Sequence, residues 1–418
     1  MAQAESPPLP QRSTFLKLGL LGSLYFSQGL PFGFFVQALP VLLRKKGFSL
    51  SEIGLSSLLA LPWALKFIWA PAVDRYSFSR LGRRKSWILP LQIATVIVLG
   101  ILAASTFQGS MNVLMAAVLV LNFLAATQDI ATDGLAVDLL LPHERGFANG
   151  LQVAGYRVGM IVGGGVLLIV EDRIGTAGIF ACMAGLTALA TLPILASREP
   201  PPPIAHSTQQ APRPEHFLFR RHVPKVLALI VTYKAGDAFA TGMLRPYLSD
   251  AGLSLSDVGW LLGTVGFISG LLGAVAGGLL VARIGRKRAL LLFGLLQALT
   301  VAGYAYLATH QPSRVELYTL CGAEYFAGGM ATAALFTTMM DWCSKENSAT
   351  DYTVQASAVV IATGGAGALA GVSAQRLGYL THFWLSAALA LGALAVVYAL
   401  FPTQAEAANI RGERQPPL

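Results

Sequence analysis

The sequence has 418 residues, of which 54% are hydrophobic and only 12% charged, and its mean hydropathy is +0.60. This balance lies far from that of soluble globular proteins and excludes that class. The net charge of +9 does not require nucleic-acid binding, because basic loops beside an anionic membrane surface account for it.

Apolar stretches of about 20 residues or more recur along the chain, and each is long enough to cross roughly 30 Å of hydrocarbon as a helix. The first half contains six, at Phe15 to Leu43, Leu50 to Val73, Ser86 to Thr106, Met111 to Val137, Phe147 to Val170 and Thr176 to Ala196. The second half contains six more, at Lys225 to Leu248, Ser254 to Val281, Ala289 to Thr309, Val315 to Trp342, Tyr352 to Ala374 and Leu377 to Phe401. The sequence therefore predicts an all-α membrane protein with twelve transmembrane helices.

A polar segment separates the two sets of spans. Residues 197–222 include four consecutive prolines after Glu199, and such a run cannot continue a helix. We predict two six-helix bundles at residues 1–196 and 223–418, joined by an exposed linker. Most lysines and arginines fall in loops on the linker side, which places the linker and both termini in the cytoplasm.

A repeat of about half the chain length relates the two predicted bundles. Three pairs of segments show it: Gly47 to Gly54 with Gly252 to Gly259, Asp74 to Lys85 with Gly278 to Arg288, and Asp138 and Gln152 with Asp341 and Gln355. Ser49 with Glu52 predicts a capping box that begins a helix, and Ser254 with Asp257 a close relative of it. Because each pair keeps the same side of the membrane, the repeats are parallel.

Ionisable residues inside the spans are the first candidates for function, because each costs at least about 2.5–3.5 kcal/mol to insert. In the fourth span, Asp129 and Asp133 are four residues apart and share a helical face. The fifth span carries Tyr156 and Arg157. One reading is that either aspartate carries a proton, with Arg157 placed against a carboxylate. The alternative is a permanent ion pair that only fixes helix packing.

Other polar groups are candidates to contact a substrate. Lys234 and Asp237 either neutralise each other or face a central cavity, and Lys66 either faces the cavity or extends to the headgroups. Glutamines and aromatic residues of the first span are candidates to line the same cavity, although helix packing explains many of them equally well. The full set of candidate substrate-binding residues is Gln28, Gln37, Lys66, Gln128, Tyr156, Tyr233, Lys234, Asp237, Glu324 and Tyr325.

The residues that enzymes need are not grouped in this sequence. Glycine-rich segments such as Gly163 to Gly165 lack the Gly-Lys-Ser/Thr ending of a phosphate loop, so close helix packing is the better account. Cys182, Cys321 and Cys343 have no metal-ligand spacing. We therefore expect no metal, no cofactor and no enzymatic activity. A membrane sensor remains an alternative, but the tails are short for an output domain.

The loop after the second span resembles the signature Gly-x-x-x-Asp-Arg-x-Gly-Arg-Lys of the major facilitator superfamily. Asp74-Arg75 and Gly82 to Lys85 match it, although Ala70 replaces the glycine, and in the second half Ala282 replaces the aspartate. The resemblance implies two parallel bundles that alternate around a midplane site. It also implies cytoplasmic gating residues, which we assign to Asp74, Arg75, Arg83, Arg84, Asp138, Arg283, Arg286 and Asp341. Positive-inside charge alone would explain the arginines but not Asp74.

Within that superfamily, three segments resemble the AmpG-like permeases: Leu61 to Pro71, Ala126 to Asp133 and Tyr233 to Asp237. The segment Leu24 to Pro40 and the bare twelve-helix length look more like the RhtX/FptX siderophore branch. The resemblance therefore implies a monomeric, proton-coupled importer of the bacterial inner membrane. We expect an iron-siderophore complex as substrate, with an anhydro-muropeptide as the alternative.

Overall fold

The computed structural model describes residues 14–40, 43, 56–77, 81–104, 111–167, 170–197, 199, 217–218 and 220–411. The capping box predicted at Ser49 and Glu52, the start of the second span and most of the linker lie outside these residues. All the elements within them are helices.

The first half contains six helical segments, α1 to α6. They are α1 at Thr14–Gly33, extended by a π-helical turn at Phe34–Ala38; α2, built from Ser56–Ala60, Leu61–Leu65, Lys66–Ile68 and Ala70–Arg75; α3 at Lys85–Ala104; α4 at Met111–Leu139; α5 at Arg145–Met160, extended by the π-helical Ile161–Val166; and α6 at Glu171–Ala196. The predicted second span is thus a chain of short pieces rather than one helix. Pro62 and Pro71 lie in it and supply no backbone N–H.

The second half repeats the pattern as α7 to α12 and adds a short α13. These are α7 at Val223–Gly242, followed by Leu244–Asp250; α8, built from Leu255–Trp260, Leu261–Val265 and Gly266–Ile284; α9 at Arg286–Leu307; α10 at Arg314–Asp341; α11 and α12 within Ser348–Leu400; and α13 at Gln404–Ile410. Ser254 forms the predicted capping box with Asp257. The predicted seventh span is broken at Met243, which separates its two helical pieces.

Gly378 separates α11 from α12, and it takes a positive φ of 73° that a residue with a side chain would adopt only under strain. In the first half Gly175 takes φ 67° near the start of α6. The two glycines occupy equivalent places in the repeat, each between the fifth and sixth helices of its half. Each bundle therefore makes the same turn at the same point.

Six helices of the described residues are long and apolar enough to cross a membrane by length and composition, and one of them is the 53-residue Ser348–Leu400. Large apolar side chains are exposed on their outer faces, including Ile101, Leu189, Leu369 and Tyr398. A water-soluble protein would bury such side chains, whereas a bilayer solvates them.

Among the described residues, the two halves share a hydrophobic core at one end. A single core there joins residues of both, such as Tyr25 and Ile130 from the first half with Met330 and Tyr352 from the second. At the other end each half has a separate core. The core of the first half lies around Phe34, and the core of the second half lies around α7, α9 and α12. The halves are therefore closed against each other at the first end, which we call the basic end because it carries the arginines described next.

Candidate functional site

Asp74, at the end of α2, binds two consecutive arginines at the basic end. Its Oδ1 accepts a hydrogen bond from Arg83 at 2.8 Å and forms an ion pair with Arg84 at 2.8 Å, and its carboxylate is fully buried. Arg84 also donates through Nε to Asp138, at the end of α4, at 2.9 Å. These contacts tie together the basic-end termini of α2, α3 and α4.

The same carboxylates reach across to the second half. The Oδ2 of Asp74 accepts hydrogen bonds from the backbone N of Thr350 at 2.7 Å and from its Oγ1 at 2.6 Å. Ser348 donates its hydroxyl to Asp138 at 2.5 Å, and Arg83 donates to the carbonyls of Lys345 and Glu346. The first turn of α11 is thus held by acidic groups of the other bundle, where a helix N-terminus favours negative charge.

Asp341, at the end of α10, forms the counterpart in the second half. It accepts from Arg286 at the start of α9 at 2.5 Å, and from Arg145 at the start of α5 in the first half at 2.6 Å. Arg286 also donates to the carbonyl of Pro142 at 2.8 Å. Each half therefore pairs the arginine that begins its third helix with the aspartate that ends its fourth.

Six of the eight predicted gating residues lie in this network, and two do not. Arg75 is exposed, with its guanidinium 5.4 Å from the centroid of the Tyr76 ring, and Arg283 is exposed in the last turn of α8. Arg75 comes one residue after the buried Asp74, and Arg283 comes two residues after the buried Val281. Each step along a helix turns the side chain by about 100°, so both arginines lie off the buried face of their helix. Arg145, Ser348 and Thr350 belong to the network and were missed, although the repeat that relates Asp138 to Asp341 also relates Arg145 to Ser348.

The buried aspartates of α4 have separate partners. Asp129 forms a buried ion pair with Lys66 of α2. Asp133 accepts hydrogen bonds from Tyr25 at 2.7 Å and from Gln152 at 3.4 Å. The prediction that Arg157 pairs with one of these carboxylates is wrong in this structure. Lys66 takes that place, and it neither extends to the headgroups nor faces the cavity.

A buried network of amides surrounds this pair. Gln28 donates to Thr132 at 3.0 Å. Gln92 and Gln128 donate to the hydroxyl of Ser27 at 3.0 and 3.2 Å. Gln28 and Gln128 therefore lie inside the first bundle, where they position α1 against α4. Gln37 is exposed near the opposite end of α1.

Three aromatic rings of the first half form a cluster beside Lys66. The rings of Phe32 and Trp63 are 5.2 Å apart, and Tyr156 lies 5.8 Å from the first and 6.2 Å from the second. The ammonium of Lys66 lies 5.7 Å from the Trp63 ring. All three aromatic side chains are half-buried. They present apolar ring faces next to the charged pair of Lys66 and Asp129.

A cavity of about 220 Å³ lies between the two halves. Its lining consists of Val153, Arg157, Lys234, Asp237, Thr241, Gly270, Ala274, Glu324, Tyr325, Gly328, Gly329 and Thr332. Lys234 binds Asp237 at 2.5 Å and Thr332 at 3.4 Å. Four of the predicted substrate-binding residues line this cavity, so Lys234 and Asp237 both neutralise each other and face it. Small residues of α8 and α10 make room for it.

Tyr233 does not line the cavity. Its hydroxyl donates to the backbone carbonyl of Leu290 at 3.0 Å, and the side chain is buried between α7 and α9. One residue along a helix turns a side chain by about 100°, so the neighbour of a cavity-facing lysine faces the bundle interior. Tyr233 is thus a packing residue.

The cavity wall carries both cationic and carboxyl side chains. At the basic end, ion pairs and hydrogen bonds hold the two halves together. Among the described residues, no three histidine, cysteine, aspartate or glutamate side chains are placed to hold a metal ion.

Two family models match parts of the sequence. One described as acetyl-coenzyme A transporter 1 matches residues 17–119 and 104–174, and one described as major facilitator superfamily matches residues 226–417. The chain is 31% identical over 394 residues to the anhydromuropeptide permease of Escherichia coli strain K12, covering 92% of this chain and 78% of that one. It is 27% identical to the putative transporter AmpG 4 of Rickettsia felis, covering 88% of this chain and 92% of that one.

Solved structures share the fold at lower identity. FucP, a major facilitator superfamily transporter in the outward conformation, superposes with a TM-score of 0.71 at 15% identity, covering 94% of this chain and all of that one. An outward-facing bacterial homologue of the iron transporter ferroportin gives 0.63 at 16% identity, covering 93% and 99%. Both matches extend over both halves of the chain.

Proposed function

This chain is a membrane transporter of the AmpG-like permease family within the major facilitator superfamily, and we propose that it imports anhydromuropeptides in symport with protons. The observation that carries the proposed substrate is the relationship with an anhydromuropeptide permease along nearly the whole chain. The siderophore expected first from the sequence has no support among the relatives, and the likeness to an iron transporter concerns the fold alone.

The chemistry of the site supports a substrate that is part sugar and part peptide. A muropeptide joins a sugar, whose ring has apolar faces, to a short peptide with carboxylates. Phe32, Trp63 and Tyr156 offer aromatic faces in the first half. Lys234 and Glu324 offer charged or polar groups in the cavity. Transport sites typically combine such apolar walls with a few polar anchors.

We place the basic end in the cytoplasm and the opposite, separated end towards the periplasm. The support is the concentration of arginines at the basic end. In this orientation the structure corresponds to a state open to the outside, and the ion pairs of Asp74, Asp138 and Asp341 must break before substrate is released inside. The transporter then works as a monomer in the bacterial inner membrane.

Asp129 and Asp133 are the proposed proton-carrying groups. Both are buried, and both have partners that a change of protonation would affect: Lys66 for the first and Tyr25 for the second. Protonation of Asp129 would release Lys66, and rocking of α2 against α4 would follow.

The test compares two labelled substrates in cells whose only permease of this class is this protein. We expect uptake of a radiolabelled anhydro-N-acetylmuramyl tripeptide and no uptake of a radioactive ferric siderophore. Cells that carry the Asp74→Asn, Asp138→Asn and Asp341→Asn triple variant provide a transport-deficient control. Uptake of the siderophore alone would reject the proposed substrate.

A further inference from the structure

Arg157 is a cation inside the membrane that faces the cavity without an acidic partner. Its guanidinium carbon lies 5.9 Å from the centroid of the Phe267 ring, and its Nη1 approaches the backbone of α8 at Gly270. The phenol of Tyr325 lines the same cavity. No carboxylate of the described residues lies within 4.0 Å of it. The ion pairs inside the bundles are formed by Lys17, Lys66 and Lys234.

The buried cations of the described residues are otherwise paired. Lys17 binds Glu144, Lys66 binds Asp129, Arg84 binds two aspartates and Lys234 binds Asp237. Pairing is expected because an unpaired charge in an apolar environment costs several kcal/mol. Arg157 is half-buried and has no such carboxylate, and its position in the wall of a cavity provides a place where a partner can bind.

The cavity wall opposite Arg157 differs from it in chemistry. Lys234 is already engaged by Asp237 at 2.5 Å, and Glu324 lies beside that pair in the second half. An anionic group that enters the cavity therefore meets one cation, on the first-half wall, that no protein carboxylate neutralises. A guanidinium also offers two parallel N–H donors that match the two oxygens of a carboxylate.

We propose that Arg157 binds a free carboxylate in the peptide part of the substrate and makes the transporter selective for it. This inference rests on the proposed function, because the peptide of a muropeptide supplies the carboxylate. It replaces the role in proton coupling that the sequence suggested for Arg157. Binding would also attach the substrate to α5, which packs directly on α8 of the other half at Gly146 and Gly278.

The first experiment measures the KM of uptake for two labelled forms of anhydro-N-acetylmuramyl tripeptide, one with free peptide carboxylates and one with these converted to methylamides. We expect the wild type to prefer the acid form by at least about tenfold in KM, since hydrogen bonds to charged groups are the stronger ones. Arg157→Gln should bring the ratio close to one, and Arg157→Lys should keep part of it.

The matched control is Arg376→Gln, which removes an exposed arginine outside the cavity and should keep the wild-type ratio. An unchanged ratio in Arg157→Gln, or equal KM values for the two forms in the wild type, would overturn the inference and leave the proposed function intact. If Arg157→Gln does not reach the membrane, Arg157→Lys decides: a ratio below that of the wild type supports the inference, and an unchanged ratio overturns it.

A second experiment tests the carboxylate site without transport. Acetyl-alanyl-glutamate should protect the purified wild type against thermal unfolding more than its diamide does, and this difference should vanish in Arg157→Gln. Protection by the acid that persists in the variant would overturn the inference. Lack of muropeptide uptake together with Arg157-dependent protection would reject the proposed function and retain the carboxylate site.

Discussion

Asp74 and Thr350 join the two halves through a helix end. The carboxylate of Asp74, at the end of α2, accepts both the backbone N–H and the hydroxyl of Thr350 in the first turn of α11. Asn347, which precedes α11, provides no side-chain hydrogen bond to that helix. The first half therefore supplies the cap that the second half lacks. This cap exists only while the basic end is closed.

We predict that Asp74→Asn opens the basic end more often. Two charge-assisted hydrogen bonds to Thr350 become neutral ones, and each charged bond contributes about 1.5–3 kcal/mol. A cysteine in place of Ala349, which is buried against Gly134 of the other half, reports opening through maleimide labelling. In a Cys182→Ser background, labelling should be at least about tenfold faster with Asp74→Asn. Arg75→Gln is the matched control and should leave the rate unchanged.

We predict that the Lys66–Asp129 pair behaves as a unit. Lys66→Met or Asp129→Asn alone leaves one buried group without its partner and should lower stability by about 3–5 kcal/mol. The double variant should recover most of this loss, as measured by thermal unfolding of the purified protein. Gradient-driven uptake should stay absent in the double variant. Restored uptake would favour the alternative in which the pair only fixes helix packing.

We predict that the Trp63 ring contributes to substrate affinity by stacking. Trp63→Leu should raise the KM for the anhydromuropeptide by about five- to tenfold, which corresponds to about 1–1.4 kcal/mol. Trp63→Phe keeps a ring but loses the hydrogen bond from the indole to Asn122, so it separates the two contributions. Equal KM values for the Leu and Phe variants would contradict a stacking role.

Glu144 is predicted to make stability depend on pH in the acid range. Burial opposes its ionisation, but hydrogen bonds from Thr14, the Leu141 backbone and Lys17 together lower its pKa from 4.5 to about 2. Because the folded-state pKa is depressed, the stabilising contribution is complete above about pH 4.5 and is lost as the pH falls towards 2. It is about 3 kcal/mol at most.

The measurement compares thermal unfolding of wild type and Glu144→Gln from pH 7 to pH 3. The wild type should be the more stable at neutral pH, and the difference should shrink as the pH falls below 4.5. Glu406→Gln allows a comparison between two carboxylates at different places in the fold. Glu406 also has a low pKa, of about 2, but it lies in the short C-terminal helix α13. A difference between wild type and Glu144→Gln that does not depend on pH would contradict the account.

Hydrophobic length predicted the membrane class, because it is a signal that the sequence carries without tertiary information. The major facilitator fold, which the resemblance of the loop signature implied, is confirmed. The AmpG-like resemblance is likewise confirmed, while its siderophore branch is unsupported. The network of ion pairs at the basic end was predicted in part. Asp74, Asp138 and Asp341 stand out as acids among basic loops, but only packing shows that Arg75 faces outward and that Thr350 is the partner.

The interior of the bundles was harder to predict, because hydropathy does not tell which helices are neighbours. The span that follows Asp129 along the chain carries Arg157, but the partner of Asp129 is Lys66 of α2. Tyr233 and Lys234 are adjacent in sequence, but only the lysine faces the cavity. Such choices depend on the rotation of each helix about its axis, which a broad apolar pattern does not define.

The central claim is gradient-driven import of an anhydromuropeptide, and uptake into proteoliposomes tests it most directly. With an acidic exterior, the wild-type protein should accumulate labelled anhydro-N-acetylmuramyl tripeptide, and a protonophore should abolish the accumulation. Asp129→Asn and Asp133→Asn, tested singly, should insert normally but lose the response to the gradient. Correctly inserted wild-type protein that takes up no muropeptide under any gradient would contradict the account.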